Sequence, residues 1–241
     1  MKKTMKKTIF GLVFVMAVAM MASCSDDDDD ETADPIHTDK TPANIEAVDL
    51  GLPSGTMWAN MNIGAQKPED FGLYFAWGET QGYTADSTDG RQFNRVHYKW
   101  CGEEDNTWSK YSGTNGDGKT VLDIEDDAAH INWGGGWVMP SVDDFKELLD
   151  NTTSELDTLS GGNARVFTSK INGNKIILPR AGFRMNTGYY FPANLGLYWS
   201  SVNDAEKPGM AKNLYGLQVG PDIGTYMRVW GLPIRPVVRK Q

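Results

Sequence analysis

The sequence predicts an α+β domain of antiparallel sheets, with one or two short helices and long loops. Three observations predict it. One amphipathic helix carries a complete start signal at Ser141. Apolar–polar alternation punctuated by turn residues runs on both sides of that helix. The 241 residues include 26 Gly and eight Trp, all eight between positions 58 and 230, which suits a loop-rich, aromatic-cored chain better than a helical bundle.

The first element is an address. Lys2, Lys3, Lys6 and Lys7 form a positive region before the apolar run Ile9 to Ala22. Those 14 residues would span about 21 Å as a helix, short of the roughly 30 Å hydrocarbon core, so residues 1–23 read as a signal peptide. Met21-Ala22-Ser23-Cys24 resembles a bacterial lipobox, with Met where Leu is usual. The resemblance implies acylation of Cys24 and anchoring to the membrane. Asp26, Asp27, Asp28, Asp29, Asp30 and Glu31 follow as a self-repelling block that does not fold. The block resembles the surface-export signal of Bacteroidota lipoproteins, implying display at the outer-membrane surface, with a periplasm-facing tether as the alternative. Residues 24–43, with Pro35 and Pro42, read as a disordered linker, and 44–241 as one domain.

Charge and cysteine count narrow the partners. The formal net charge is −9, and loss of the four signal lysines makes it −13. No basic patch stands out, so a nucleic-acid partner is not expected. With Cys24 committed to lipid, Cys101 remains alone, and stability must come from a packed core.

Along the domain, Val48–Leu50 and Met57–Ile63 read as strands around Pro53-Ser54-Gly55, and Leu73–Trp77 as a third apolar run. From Gly78 to about Lys119 the chain is polar, and loops of that length are often functional. Trp100, Trp108 and Tyr111 interrupt it, and aromatic faces beside acids and amides make them candidate ligand contacts. Burial as a satellite cluster is the alternative. A short helix is expected over Ile124–His130. The main helix starts at Ser141, with Asp144 completing a capping box and Val142, Phe145, Leu148 and Leu149 on one stripe. Asn172-Gly173 between Arg165–Ile171 and Lys175–Leu178 signals a hairpin. Leu197–Val202, Asn213–Val219, Tyr226–Trp230 and Leu232–Val237 are further strands. Trp58, Trp77, Trp137 and Trp199 read as core, and Gly134-Gly135-Gly136 as a turn that brings Trp133 to Trp137.

Several segments together carry a family resemblance. Val48-Asp49-Leu50-Gly51-Leu52-Pro53-Ser54-Gly55-Thr56-Met57-Trp58-Ala59 resembles the opening of the Fibrobacter succinogenes major paralogous domain family. Tyr74-Phe75-Ala76-Trp77-Gly78-Glu79, Trp137-Val138-Met139-Pro140-Ser141, Tyr198-Trp199-Ser200-Ser201 and Ile234-Arg235-Pro236-Val237 match in the same order. The resemblance implies a C-type lectin-like fold related to formylglycine-generating enzymes, whose first and last strands pair and whose long loops project from one side. It brings no established activity.

Catalytic and metal constellations are missing from the sequence. Formylglycine-generating enzymes use two cysteines, and only Cys101 is free here. His37, His97 and His130 are not spaced for a shared metal. Aligning Gly118 with the turn glycine of a calcium-binding EF-hand loop places Asn115 and Asp117 at ligand positions, but Gly113 and Ile124 fail at the two ends. Neither metal nor cofactor is therefore expected. The resulting expectation is a surface-anchored, non-catalytic domain binding an extracellular glycan or protein. A structural or assembly component of a surface structure, or an enzyme of this fold with an altered site, are the alternatives.

Overall fold

The computed structural model describes residues 39–86, 90–104, 107–157 and 163–239, so Cys24 and the acidic run Asp26 to Glu31 lie outside the described residues. The first hairpin, β1 (Ala47–Asp49) and β2 (Thr56–Ala59), pairs Val48 with Trp58, and its turn closes through Gly55 N to Leu52 O at 2.9 Å. The expected strand to Ile63 ends at Ala59 for a local reason. The Asn60 side chain accepts from Glu46 N and donates to Asn44 O, taking over the ladder positions. Lys40, read as linker, donates its amide to Trp133 O at 2.6 Å, so the ordered chain begins before residue 44.

The helical region splits in two. A 3-10 turn over Ile124–Asp126 and α1 (Ala128–Trp133) replace the single expected helix. Asp127 makes the break: its backbone is extended and its carboxylate caps Ala129 N and His130 N. The main helix, α2 (Val142–Asn151), starts as the sequence implies. Ser141 and Asp144 form the reciprocal capping box. Asp144 also accepts from Thr56 Oγ1 on β2 and from Arg239, tying the helix start to the second strand and to the end of the described chain.

A second sheet follows from β3 (Thr152–Asp157), β4 (Ala164–Ser169) and β5 (Lys175–Pro179). The Asn172-Gly173 hairpin forms between β4 and β5, but with a wider loop than a two-residue turn, closed by Ser169 N to Asn174 O. The tip is held open by docking: Asn172 and Asn174 both donate to Asp49 O. A small hairpin, β6 (Phe183–Met185) and β7 (Gly188–Tyr190), precedes a third sheet of β8 (Tyr198–Asn203), β9 (Met210–Tyr215) and β10 (Asp222–Met227). β9 lies earlier than expected and stops at Gly216, whose positive φ turns the chain. β10 stops before Arg228, which turns inward. Leu232 makes only an isolated bridge to Phe75, and the last strand is β11 (Val237–Arg239), between Pro236 and the end of the described chain.

β11 pairs antiparallel with β2, not with the first strand as the family resemblance implied, so the terminal sheet has the order β1-β2-β11. The fold is thus α+β, with mostly antiparallel sheets and few helices. The four core tryptophans are buried as expected. Trp77 Nε1 donates to Ser200 O and Trp199 Nε1 to Phe75 O, both at 2.8 Å, so these two rings are buried with their polar atoms satisfied. The triple glycine, all three residues at positive φ, sets Trp133 edge-on to Trp137 with centroids 5.4 Å apart. Among the described residues, no helix is long and apolar enough to cross a membrane.

Candidate functional site

The polar excursion after Trp77 is pinned to the core by one buried cation. Arg228 is fully buried. Its guanidinium donates to Tyr98 Oη, Lys110 O, Tyr111 O and Pro208 O at 2.8–2.9 Å. It also lies 4.8–5.3 Å from the ring centroids of Trp77, Tyr98 and Trp108. Four hydrogen bonds and three π-faces replace the hydration that the buried charge has lost. They also satisfy carbonyls that a long irregular segment would otherwise bury unpaired.

This anchoring decides what the three expected aromatic contacts do. Tyr111 is fully buried, edge-on to Trp77 at 5.1 Å and to Trp100 at 6.0 Å, so it is a core residue and no surface ligand reaches its ring. Its backbone sits at φ 57°, a left-handed conformation costly for a bulky residue, held by hydrogen bonds to its carbonyl, amide and hydroxyl. Trp100 is half-buried, with Lys99 Nζ 4.1 Å and Lys110 Nζ 5.1 Å from its ring centroid. Trp108 stands apart from that pair, with Arg95 and Arg228 over its ring at 4.9 and 4.8 Å. Cations already cover both indoles. Trp108 still borders a shallow cleft of about 260 Å³ with Lys207, Pro208, Gly209, Met210 and Met227.

The acidic segments are internally committed too. Asp123, Glu125 and Asp126 bring one oxygen each within 4.8 Å of one another, the spacing a cation needs. Lys110 supplies it: its Nζ lies 2.7, 3.5 and 2.5 Å from the three carboxylates. Asp126, almost fully buried, also accepts from Lys99 at 3.0 Å and from Tyr111 Oη at 2.8 Å. Burial pushes its pKa up, but the bonds from Lys110, Tyr111 and Lys99 outweigh this and leave it lowered. Asp117 of the EF-hand-like stretch accepts the amides of Tyr111, Ser112 and Lys119, which is turn chemistry.

The sign of the Asp126 effect gives a prediction. A lowered carboxylate pKa stabilises the fold above the unfolded value, near pH 4, and that stability is lost as pH falls through the folded value. Lys110→Met is expected to cost about 1–3 kcal/mol at pH 7 by leaving Asp126 short of a partner. The difference from wild type should shrink as pH falls below about 4, where the unfolded chain's carboxylate takes up a proton before the folded one does. Urea melts at pH 7 and pH 3 check it. An equal difference at both would assign the effect to packing on Trp100 and Tyr111.

A second cleft, of about 250 Å³, is lined by Glu79, Thr80, Gln81, Tyr83, Arg91, His97 and Lys99. Glu79 forms its floor and is buried. One carboxylate oxygen accepts from Lys99 N at 2.8 Å and the other from the Arg91 guanidinium. Burial raises the Glu79 pKa, opposed by the Lys99 amide and Arg91. Arg91 also donates to His97 O at 2.8 Å and lies over the Tyr83 and Phe93 rings. Lys99 Nζ reaches Asp126 at 3.0 Å. Asn94 caps the 3-10 turn Arg95–His97 through His97 N and also meets His97 Nδ1 at 3.0 Å, fixing the imidazole at the rim. A cavity this size falls below the roughly 300–1,000 Å³ of drug-sized sites. It has room for one small ring or side chain.

Sequence reasoning singled out none of these cleft residues as a site. Glu79 lies in a family-like motif of structural character, and the spacing of His97 bears only on a metal site, which it does not fit. The signal that could have found them is the run Arg91, Arg95, His97 and Lys99, a basic segment without acids in an acidic chain. His130 is buried on α1 and Cys101 is half-buried in the loop. No family model, no curated protein and no solved structure matches this chain.

Proposed function

We propose that the protein is a lipoprotein tethered through Cys24 and displayed at the outer-membrane surface, where a non-catalytic domain recognises an extracellular glycan or protein. In this reading the domain is of the major paralogous type and has a C-type lectin-like fold. The terminal sheet β1-β2-β11, which joins both ends of the domain, supports that architecture. The observation that carries the recognition role is the loop after Trp77. It is fixed from beneath by Arg228, and a fixed loop that frames a small polar cleft is a preorganised binding surface.

Two measurements test the reading. Cys24→Ala should move the protein out of the membrane fraction, because the signal's apolar run is too short to anchor it and the thiol is the lipid attachment point. A mutant of normal mature size still wholly in the membrane fraction overturns the tether. Replacing Asp26 to Glu31 by Ala should leave acylation intact and reduce protease accessibility on intact cells. Binding of the purified full chain to arrayed glycans and surface proteins tests recognition. Silence on both classes sinks it.

A further inference from the structure

We infer that the cleft between Glu79, Gln81, Tyr83, Arg91, His97 and Lys99 binds one uncharged sugar residue through side chains alone, without a metal. This rests on the recognition reading above and names its ligand class.

The argument starts from charge. Every formal charge lining the cleft already has an ion-pair partner: Glu79 with Arg91, and Lys99 with Asp126. A charged ligand that displaced Glu79 or Arg91 would leave the other without its partner, which is strongly unfavourable for Glu79, under a tenth exposed; Asp126 keeps Lys110 even without Lys99. Charge selection therefore works against ionic ligands.

Hydrogen-bonding capacity remains after the pairing. Each Glu79 oxygen has one partner and keeps a second lone pair. His97 Nε2 makes no hydrogen bond among the described residues, while Nδ1 is engaged by Asn94. The Lys99 ammonium has protons beyond the one given to Asp126, and the Gln81 amide offers both a donor and an acceptor. Acceptors thus lie on the floor and rim beside donors on the same rim. A ligand that donates and accepts at adjacent atoms matches this set, and neighbouring ring hydroxyls do so.

Size agrees with this. About 250 Å³ accommodates one pyranose-sized ring, and Tyr83, with Arg91 over its ring at 5.5 Å, adds some apolar surface to the wall. A peptide backbone in extended form would need an open sheet edge or a longer groove. The cleft provides neither.

The experiment uses the purified full chain in EDTA-containing buffer. Ligand-observed NMR titrations are run with neutral methyl glycosides (gluco, galacto, manno, fuco and N-acetylglucosamine) and with methyl glucuronide. At least one neutral glycoside is expected to bind, and to bind more tightly than the glucuronide. His97→Ala and Gln81→Ala, both at exposed positions, should each weaken that binding at least tenfold with an unchanged melting temperature. Silence from every neutral glycoside, preference for the glucuronide, or undiminished binding in either variant overturns the proposal. If it falls while the same preparation still binds arrayed proteins or polymeric glycans, the recognition reading stands and only the ligand class is wrong. If nothing binds at all, both fall.

Discussion

Arg228→Met is expected to destabilise the domain by about 3–5 kcal/mol, because four buried acceptors lose a donor at about 1–3 kcal/mol for each one left unpaired. Methionine is apolar and fills much of the volume, so the loss is mainly polar. Lys110 O, Tyr111 O and Pro208 O each lose a donor inside the protein, as does Tyr98 Oη. The total stays below the sum because Tyr111 O keeps its bond from Asn203 Nδ2 and the site partly relaxes. Lysine should not rescue the site. It is a point charge with no planar fork, and it cannot reach the carbonyls of Tyr111 and Pro208 from one nitrogen while donating to Lys110 O from another. Urea melts give the magnitude, and limited proteolysis gives the location. Cleavage should appear first between residues 90 and 119, the segment that Arg228 pins. A stability loss under about 1 kcal/mol, with no new cleavage there, would show that the loop stands without its arginine.

The contrast between Arg228 and α2 explains what was legible in the sequence. The helix announces itself locally: Ser141 and Asp144 are three residues apart, and Phe145 and Leu148 follow at helical spacing. The triple glycine is legible for the same reason, since Trp133 and Trp137 flank it. Buried arginines carry no such signal. Composition places arginine at the surface, yet Arg184, Arg228 and Arg235 are all buried. Arg235 donates to Asn62 Oδ1, Ala59 O and Ile177 O, and burial pushes its pKa down to about 10. Its partners are up to 176 residues away in sequence, so no window could show them. β3 was missed because it continues from α2 at Thr152 with no glycine or proline between them. β6 and β7 are three residues each, too short for alternation to register. The cleft was hidden for a related reason. Its walls come from residues 79 to 99, and what makes them a site is pairing across that loop and with Asp126. The aromatic candidates were conspicuous in sequence because they interrupt a polar segment. That same polarity supplied the lysines and arginines that now cover them.

Phe145→Ala is expected to cost about 3–5 kcal/mol, the range for truncating a buried Phe. Phe145 is fully buried and its ring lies 5.5 Å from that of Trp58, on the central strand of the terminal sheet. It belongs to a cluster with Leu148, Phe167, Leu178, Tyr198 and Val237, side chains from α2 and all three three-stranded sheets. A cavity there loosens every one of those layers at once, and rigid neighbours such as Trp58 and Tyr198 limit collapse into it. Ser141→Ala, at the start of the same helix, should cost only about 0.5–2 kcal/mol. It removes the bond from Asp144 N to Ser141 Oγ and the one from Ser141 Oγ to the Asp144 carboxylate, while Asp144 keeps its bonds to Ser141 N, Thr56 and Arg239. The order of the two effects is the sharper test, because it separates packing from capping on one element. Urea midpoints that place Ser141→Ala below Phe145→Ala in stability would mean that the helix is held at its end and not along its face. The joint core of the three sheets would then have to be redrawn without α2.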